Sequence, residues 1–211
     1  MSKVFISFLG TGKYCECNYA LKGKTVHGVR YIQEALLDLL SCDFTQSDRA
    51  LIFTTKEAEA KNWTEKLEKR LSPFGKRFSV ENVSVPDGGS EKEIWEIFTI
   101  VFNTLKEGDD VILDITHGFR SLPMLSIVLL NYARFLKRIN VRGIYYGAFE
   151  ALGNRSEVEK IPLSERNAPV FDLTSFDVIQ QWGFASENFV NYGNAEKVSE
   201  LLEKSIPEGK H

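Results

Sequence analysis

Cysteine is scarce in this chain of 211 residues: Cys15, Cys17 and Cys42 complete the set. An odd, sparse set is not a disulfide framework, and the expected compartment is the reducing cytoplasm. A Cys-x-Cys pair without further ligands argues against a zinc site. Histidine is equally sparse, with His27 and His211 far from His117 in sequence. No histidine–carboxylate group stands at metal spacing, so neither a metal nor a cofactor is expected. No apolar run reaches bilayer length, and the N-terminus lacks the charged-then-apolar pattern of a signal peptide. Positive charge is not in excess: 26 Lys and Arg against 29 Asp and Glu leave a net charge of -3. That argues against a general nucleic-acid coat protein and against direct DNA binding, while leaving room for a small anion in a locally positive pocket. Internal repeats and low-complexity tracts are also missing.

What is present describes an ordinary globular chain, with 43% hydrophobic and 26% charged residues. The length suits one α/β domain with a short appendage. The run KVFISFL at residues 3–9 reads as a first strand. Residues 19–26, centred on Gly23, read as a short hairpin or excursion, and 30–40 carries apolar residues at helical spacing. A second core strand is expected at 50–55, followed by a charged helix over 56–71 with Trp63 and Leu67 on one face. Residues 78–85 alternate like a strand, and Ser90 with Glu93 forms a capping box for the helix through Leu105. Residues 141–149 are a further strand, 151–163 a polar hairpin or excursion, and 169–173 an edge strand or lead-in. Helices are expected at 174–192 and 194–205, with a break at Gly193. Strand–helix alternation of this kind predicts a Rossmann-like doubly wound, mostly parallel sheet with helices on both faces, plus a C-terminal helical appendage. The expected boundary divides a ligand-sensing domain, 1–172, from a helical linker or the start of an effector region, 173–211.

The centre of this plan is Asp114-Ile-Thr-His-Gly-Phe-Arg-Ser-Leu-Pro-Met124. The apolar run Val111-Ile-Leu113 before it reads as a buried parallel strand, and the apolar segment after it as a helix. Ser121 is a suitable N-cap and Pro123 fits a first helical turn. Strand, tight turn and helix therefore put Thr116, His117, Gly118, Phe119, Arg120 and Ser121 at the carboxyl end of a strand. Ligands bind there in open α/β sheets, and free amides with an arginine suit a phosphate. Asp114 reads as an acceptor for loop amides.

A second loop, Gly10-Thr11-Gly12-Lys13-Tyr14, closes the first strand. It fails the Walker spacing, because Ser7 stands where a glycine is needed and Tyr14 follows the lysine. It also fails the dinucleotide fingerprint, because the third glycine position holds Cys15. A nicotinamide- or flavin-dependent oxidoreductase is therefore a poor reading. A flexible turn carrying a lysine remains, on the same sheet edge as the central loop.

With Ser-Phe-Leu-Gly-Thr-Gly-Lys-Tyr at the first strand and Asp-Ile-Thr-His-Gly-Phe-Arg-Ser-Leu-Pro in the centre, the chain resembles the CARF family. These are the CRISPR-associated Rossmann-fold sensor domains of type III CRISPR ancillary proteins, and the Thr-His-Gly-Phe-Arg block resembles one branch, commonly fused to a HEPN ribonuclease. The resemblance covers roughly the first 170 residues, about one domain. It implies a homodimer that binds a cyclic oligoadenylate second messenger, with cyclic tetra-adenylate expected, in antiviral defence. It further implies that residues 10–14 and 116–121 of each subunit line a shared cradle. Lys13, Arg120 and backbone amides would meet phosphates, and Thr11, Thr116 and His117 ribose or phosphate oxygens.

The effector's Arg-x4-6-His motif is absent from the chain. The expectation is a sensor cut from a longer protein, whose RNA contacts would belong to the missing effector. The alternative is a ring nuclease that directs a ribose 2′-hydroxyl at the adjacent phosphate without metal, giving a 2′,3′-cyclic phosphate. Lys13, His117 and Arg120 are the candidates to assist that step.

Overall fold

Apolar runs that read as buried strands pair with one another in the computed structural model, which describes residues 1–117 and 122–205. The strands are β1 (Lys3–Leu9), β2 (Cys17–Leu21), β3 (Lys24–Val29), β4 (Arg49–Thr54), β5 (Ser79–Ser84), β6 (Asp110–Asp114), β7 (Asn140–Gly147) and β8 (Asn167–Asp172). They form one eight-stranded sheet in the order β3-β2-β8-β7-β6-β1-β4-β5. Pairing is parallel from β7 through β6, β1 and β4 to β5. Burial of β1 and β4 along almost their whole length explains their continuous apolar sequences. The fold is the expected Rossmann-like one. Its switch point lies between β1 and β6, where the chain leaves to opposite sides of the sheet.

One strand departs from the sequence reading. Residues 169–173 look like an edge, but β8 is an inner strand, antiparallel to β7 and parallel to β2. The β2–β3 hairpin covers it, and Asn18 fastens the join. Its backbone N–H donates to Arg166 O at 2.7 Å, and its Nδ2 donates to Leu163 O and Asn167 Oδ1. Its Oδ1 accepts from Gly28 N.

The helices begin with α1 (Ile32–Leu40), which buries Ile32, Ala35, Leu36 and Leu37. The helix expected over 56–71 is interrupted. It consists of α2 (Lys56–Ala58), a stretch of wide turns over Glu59–Leu67, and α3 (Glu68–Leu71). Thr64 and Glu65 leave helical geometry, Glu65 with φ of +60°. Trp63 and Leu67 are nevertheless both buried. Further on lie α4 (Glu91–Thr104), α5 (Leu122–Lys137) and α6 (Arg155–Val158). Ser90 Oγ accepts from Glu93 N as expected, but the Glu93 carboxylate accepts from Gly89 N, one residue before the reciprocal capping-box partner. Residues 151–163 are a helical excursion built around α6, whose Asn154 and Glu157 complete a true capping box.

Contacts divide the chain into two compact units, Met1–Asp172 and one that begins at Leu173. The second contains α7 (Thr174–Tyr192) and α8 (Glu196–Ser205). Gly193 ends α7 in the left-handed region at φ +69°, where a side chain would be strained.

Beneath the switch point runs a chain of buried polar contacts. Gln33 Nε2 donates to Ser7 Oγ and Phe8 O, both at 3.0 Å. Ser7 Oγ donates to Asp114 Oδ2 at 2.6 Å, and Thr116 N donates to Asp114 Oδ1 at 2.9 Å. Thr116 Oγ1 in turn accepts from Gly147 N at 2.8 Å. Burial raises the Asp114 carboxyl above its ordinary range, partly offset by the Ser7 hydroxyl and Thr116. The folded state then holds the Asp114 proton more tightly than the unfolded chain. Its contribution is full below about pH 4, the ordinary carboxylate value, and is lost as pH rises through the raised native value. Urea midpoints of wild type relative to Asp114→Asn should therefore fall across that interval; a flat difference would show an unperturbed carboxyl. Asp114→Leu, which strands the Ser7 hydroxyl and the Thr116 amide, should cost on the order of 3 kcal/mol.

Candidate functional site

The loop after β1 folds back on itself through a side chain. Tyr14 Oη accepts from Gly10 N at 2.9 Å and donates to Gly10 O at 3.3 Å. Burial pushes the Tyr14 phenol above its ordinary value, so it stays protonated. A Cβ at Gly10 would stand 3.1 Å from that hydroxyl and 3.7 Å from His117 Cβ, so close approach accounts for the glycine. Nothing comparable surrounds Gly12. Asn62, on the irregular helical stretch, donates from Nδ2 to Gly10 O at 2.8 Å and Gly12 O at 3.0 Å. Those two bonds hold the loop to a segment far away in sequence, and Thr11, Gly12 and Lys13 are left exposed.

The loop after β6 meets it from the other side of the switch point. Ile115 N donates to Tyr145 O, and Thr116 is held by Asp114 and Gly147 as described. The His117 ring lies edge-on to Tyr14, with centroids 4.9 Å apart. Its Nε2 is buried and has no hydrogen-bond partner among the described residues. Burial lowers the His117 pKa to about 4, with the Glu150 carboxylate opposing the shift. At neutral pH this imidazole is uncharged. Gly118, Phe119, Arg120 and Ser121 lie outside the described residues.

Between the loops is a cleft of about 130 Å³. Of the residues expected at the site, Gly10, Gly12, Lys13, Tyr14 and His117 line it, while Thr11 and Thr116 do not. Cys15, Tyr19, Arg30 and Phe149 line it too and were not anticipated. Arg30 sits at the end of the β2–β3 hairpin, just before α1, and only the course of that hairpin brings it to the cleft. Phe149 falls beyond β7, in the 3₁₀ turn Phe149–Leu152, rather than in the strand expected there. Cys15 Sγ accepts from Arg166 Nη1 at 3.4 Å. Among the described residues no three His, Cys, Asp or Glu side chains cluster as metal ligands, and no helix is long and apolar enough to cross a membrane. A separate hollow of about 360 Å³ beyond β5, with Lys56, Asp87, Glu93 and Glu96, shares none of these residues.

Two measurements follow from this geometry. Asn62→Ala frees the Gly10 and Gly12 carbonyls to water, so global stability should fall by only about 1 kcal/mol. Amide exchange in residues 10–14 should quicken by more than that loss explains; unchanged local exchange would show that Tyr14 alone holds the loop. His117 is the second case. Its depressed native pKa gives a stabilisation that is present above the unfolded value of about 6.5 and lost as pH falls through about 4. Between pH 7 and pH 4, wild type should lose on the order of 3 kcal/mol relative to His117→Phe. Parallel pH profiles for the two proteins would remove the case for a buried neutral imidazole.

The model of the CARF domain of the CRISPR system endoribonuclease Csx1 matches residues 4–150. CRISPR-associated protein MJ1674 of Methanocaldococcus jannaschii is 32% identical over 152 residues, which is 68% of this chain and 22% of that protein. The chain thus spans less than a quarter of that relative's length. The match runs from β1 through the strands that carry both loops of the cleft, and by it the chain belongs to the CARF domain family of Csx1.

Proposed function

We infer that this chain is a sensor for cyclic oligoadenylate, with cyclic tetra-adenylate the expected ring, and that it acts as a homodimer regulating an effector in type III CRISPR defence. Membership of the CARF family supports the messenger class. The observation that carries the reading is the cleft at the switch point, where the two loops meet and Lys13 and Arg30 supply positive charge. Arg120, from the same central motif, adds a further phosphate contact in this reading. A ring of four identical nucleotides has two-fold symmetry, and an isologous pair of subunits offers each loop to it twice. Apolar surface on unit Met1–Asp172 supports pairing: Trp95 of α4 is 60% exposed, and Met124 and Phe135 of α5 are 76% and 82% exposed. The Thr-His-Gly-Phe-Arg branch and a HEPN ribonuclease as effector remain part of the proposal, as does residue 172 as the end of the sensing domain.

The sensor reading is favoured over the ring nuclease. A histidine with a pKa of about 4 is a weak base at neutral pH, far from the value that suits proton transfer there. Calorimetric titration with cyclic tri-, tetra- and hexa-adenylate, followed by chromatography of the bound ring, tests both. One intact ring per dimer is expected. Linear fragments accumulating with time would identify a ring nuclease, and no binding to any ring would end both readings. Arg120→Ala should weaken binding by about 1.5–3 kcal/mol; an unchanged affinity in the folded variant would make the arginine structural.

A further inference from the structure

Residues 56–71 have the composition of one regular helix, yet the structure breaks it in the middle. Alanine, glutamate, lysine, leucine and arginine, all strong helix formers, fill every position but Asn62, Trp63 and Thr64. Thr55 Oγ1 caps the start, accepting from Ala58 N at 3.2 Å. The helix nevertheless opens at Thr64, with ψ of +123°, and at Glu65, with φ of +60°. Trp63 O accepts from Glu68 N, five residues on rather than four. Lys61 O, which a regular helix would pair with the Glu65 N–H, takes the Lys66 ammonium instead. No glycine or proline stands at the break, and left-handed backbone is disfavoured for a glutamate.

The break resolves a conflict between two buried faces. Ala58 and Leu67 are nine residues apart, as are Asn62 and Leu71, which is about two and a half turns of a regular helix. A regular helix would therefore set the members of each pair on opposite sides. All four are buried here. Leu67 and Leu71, with Trp63, belong to the hydrophobic core, so that face is fixed. On the other face Ala58 offers only a methyl group, and Glu59 accepts one bond from Asn82 Nδ2. Its main tie is Asn62, whose amide donates to Gly10 O and Gly12 O. A buried amide needs its partners. Released from the loop, Asn62 gains by turning to water, and the helix formers around it gain by closing the break. A strong helix former held out of a helix by one remote contact is a local conflict with the fold, of the kind expected where a segment has a task beyond packing.

We propose that residues 56–71 are a two-state element controlled by the loop after β1, kinked while Asn62 holds Gly10 and Gly12 and a regular helix once that hold is released. Any change of the loop that displaces the Asn62 amide is then reported at the exposed residues Lys61, Thr64, Glu65 and Lys66, where the kink is replaced by continuous helix. Asn62 does not line the cleft, and the device does not depend on which ligand the cleft takes. Coupling of this kind is reciprocal, so a change at the kink must also be felt in the loop.

The test uses the full chain without any ligand, so its outcome is separate from the cyclic oligoadenylate reading. Wild type, Asn62→Ala and Glu65→Gly are compared by nuclear magnetic resonance and amide exchange. In Asn62→Ala, helical contacts should run unbroken through residues 61–68 and the positive-φ signature of Glu65 should vanish. Exchange of the Glu65 and Glu68 amides should slow by roughly tenfold, although the substitution removes two hydrogen bonds. Glu65→Gly works from the other end, because glycine favours left-handed backbone and weakens a regular helix. It leaves Asn62 in place, and exchange in residues 10–14 should slow by about fivefold. A kink that persists in Asn62→Ala, or a segment 56–71 that melts there, overturns the proposal. Loop exchange in Glu65→Gly equal to that of wild type overturns it as well. Should Asn62→Ala fail to fold, the Glu65→Gly result decides alone.

Discussion

Everything at the functional end of this molecule hangs on one buried hydrogen bond, from the Ser7 hydroxyl to the Asp114 carboxylate at 2.6 Å. It joins the two strands that flank the switch point. Asp114 is completely buried, and an unpartnered carboxylate there would be costly. Ser7 satisfies one oxygen and the Thr116 amide the other. Satisfying the acid therefore sets the first turn of the central loop. Thr116 passes the constraint on to Gly147, and Gln33 fixes Ser7 from α1. A buried acid at the centre of a parallel sheet is thereby used to position backbone, and the cost of burying it is limited by fixed donors.

Above this chain of contacts the cleft brings together buried neutral groups and exposed cations. Its lining combines groups whose burial keeps them neutral, Tyr14, Tyr19 and His117, with the exposed residues Lys13 and Arg30. The combination follows from solvation. Exposed lysine and arginine keep their water and still act on an anion within a few ångströms, whereas the same charges buried would need paired counter-charges.

The parts of the fold that were legible in the sequence were those set by local patterning. β1, β4 and β6 are short apolar runs bounded by polar turns, and only a buried strand suits them. The break after α7 was equally plain, because Gly193 takes a backbone conformation that other residues avoid. What stayed hidden was set by partners remote in sequence. β8 looks like an edge because nothing local says that the β2–β3 hairpin will return to cover it, and Asn18 makes that connection across about 150 residues. Trp63 and Leu67 show a helical face, but a pattern of apolar residues carries no trace of Asn62 turning to the Gly10 carbonyl. The cleft divided in the same way. Gly10, Lys13, Tyr14 and His117 sit in recognisable strand-end loops, while Arg30 and Phe149 arrive from elements whose meeting is tertiary.

The small cleft and the apolar faces of α4 and α5 bear on the same point. In the proposed sensor, a cleft of about 130 Å³ leaves most of a cyclic tetranucleotide outside any single subunit. Sensing the whole ring then depends on a second cleft held at a fixed distance, which is a task for a symmetric pair. The aromatic cluster of Trp95, Phe98, Phe102 and Tyr132 spans α4 and α5, and Met124 and Phe135 of α5 stand in solvent. Apolar surface of this kind costs little to bury and much to leave wet. In the proposed sensor the cleft supplies the need for a partner and these helices the means of holding one. Affinity for the ring then includes the free energy of pairing, so that ring binding and pairing strengthen one another through linkage.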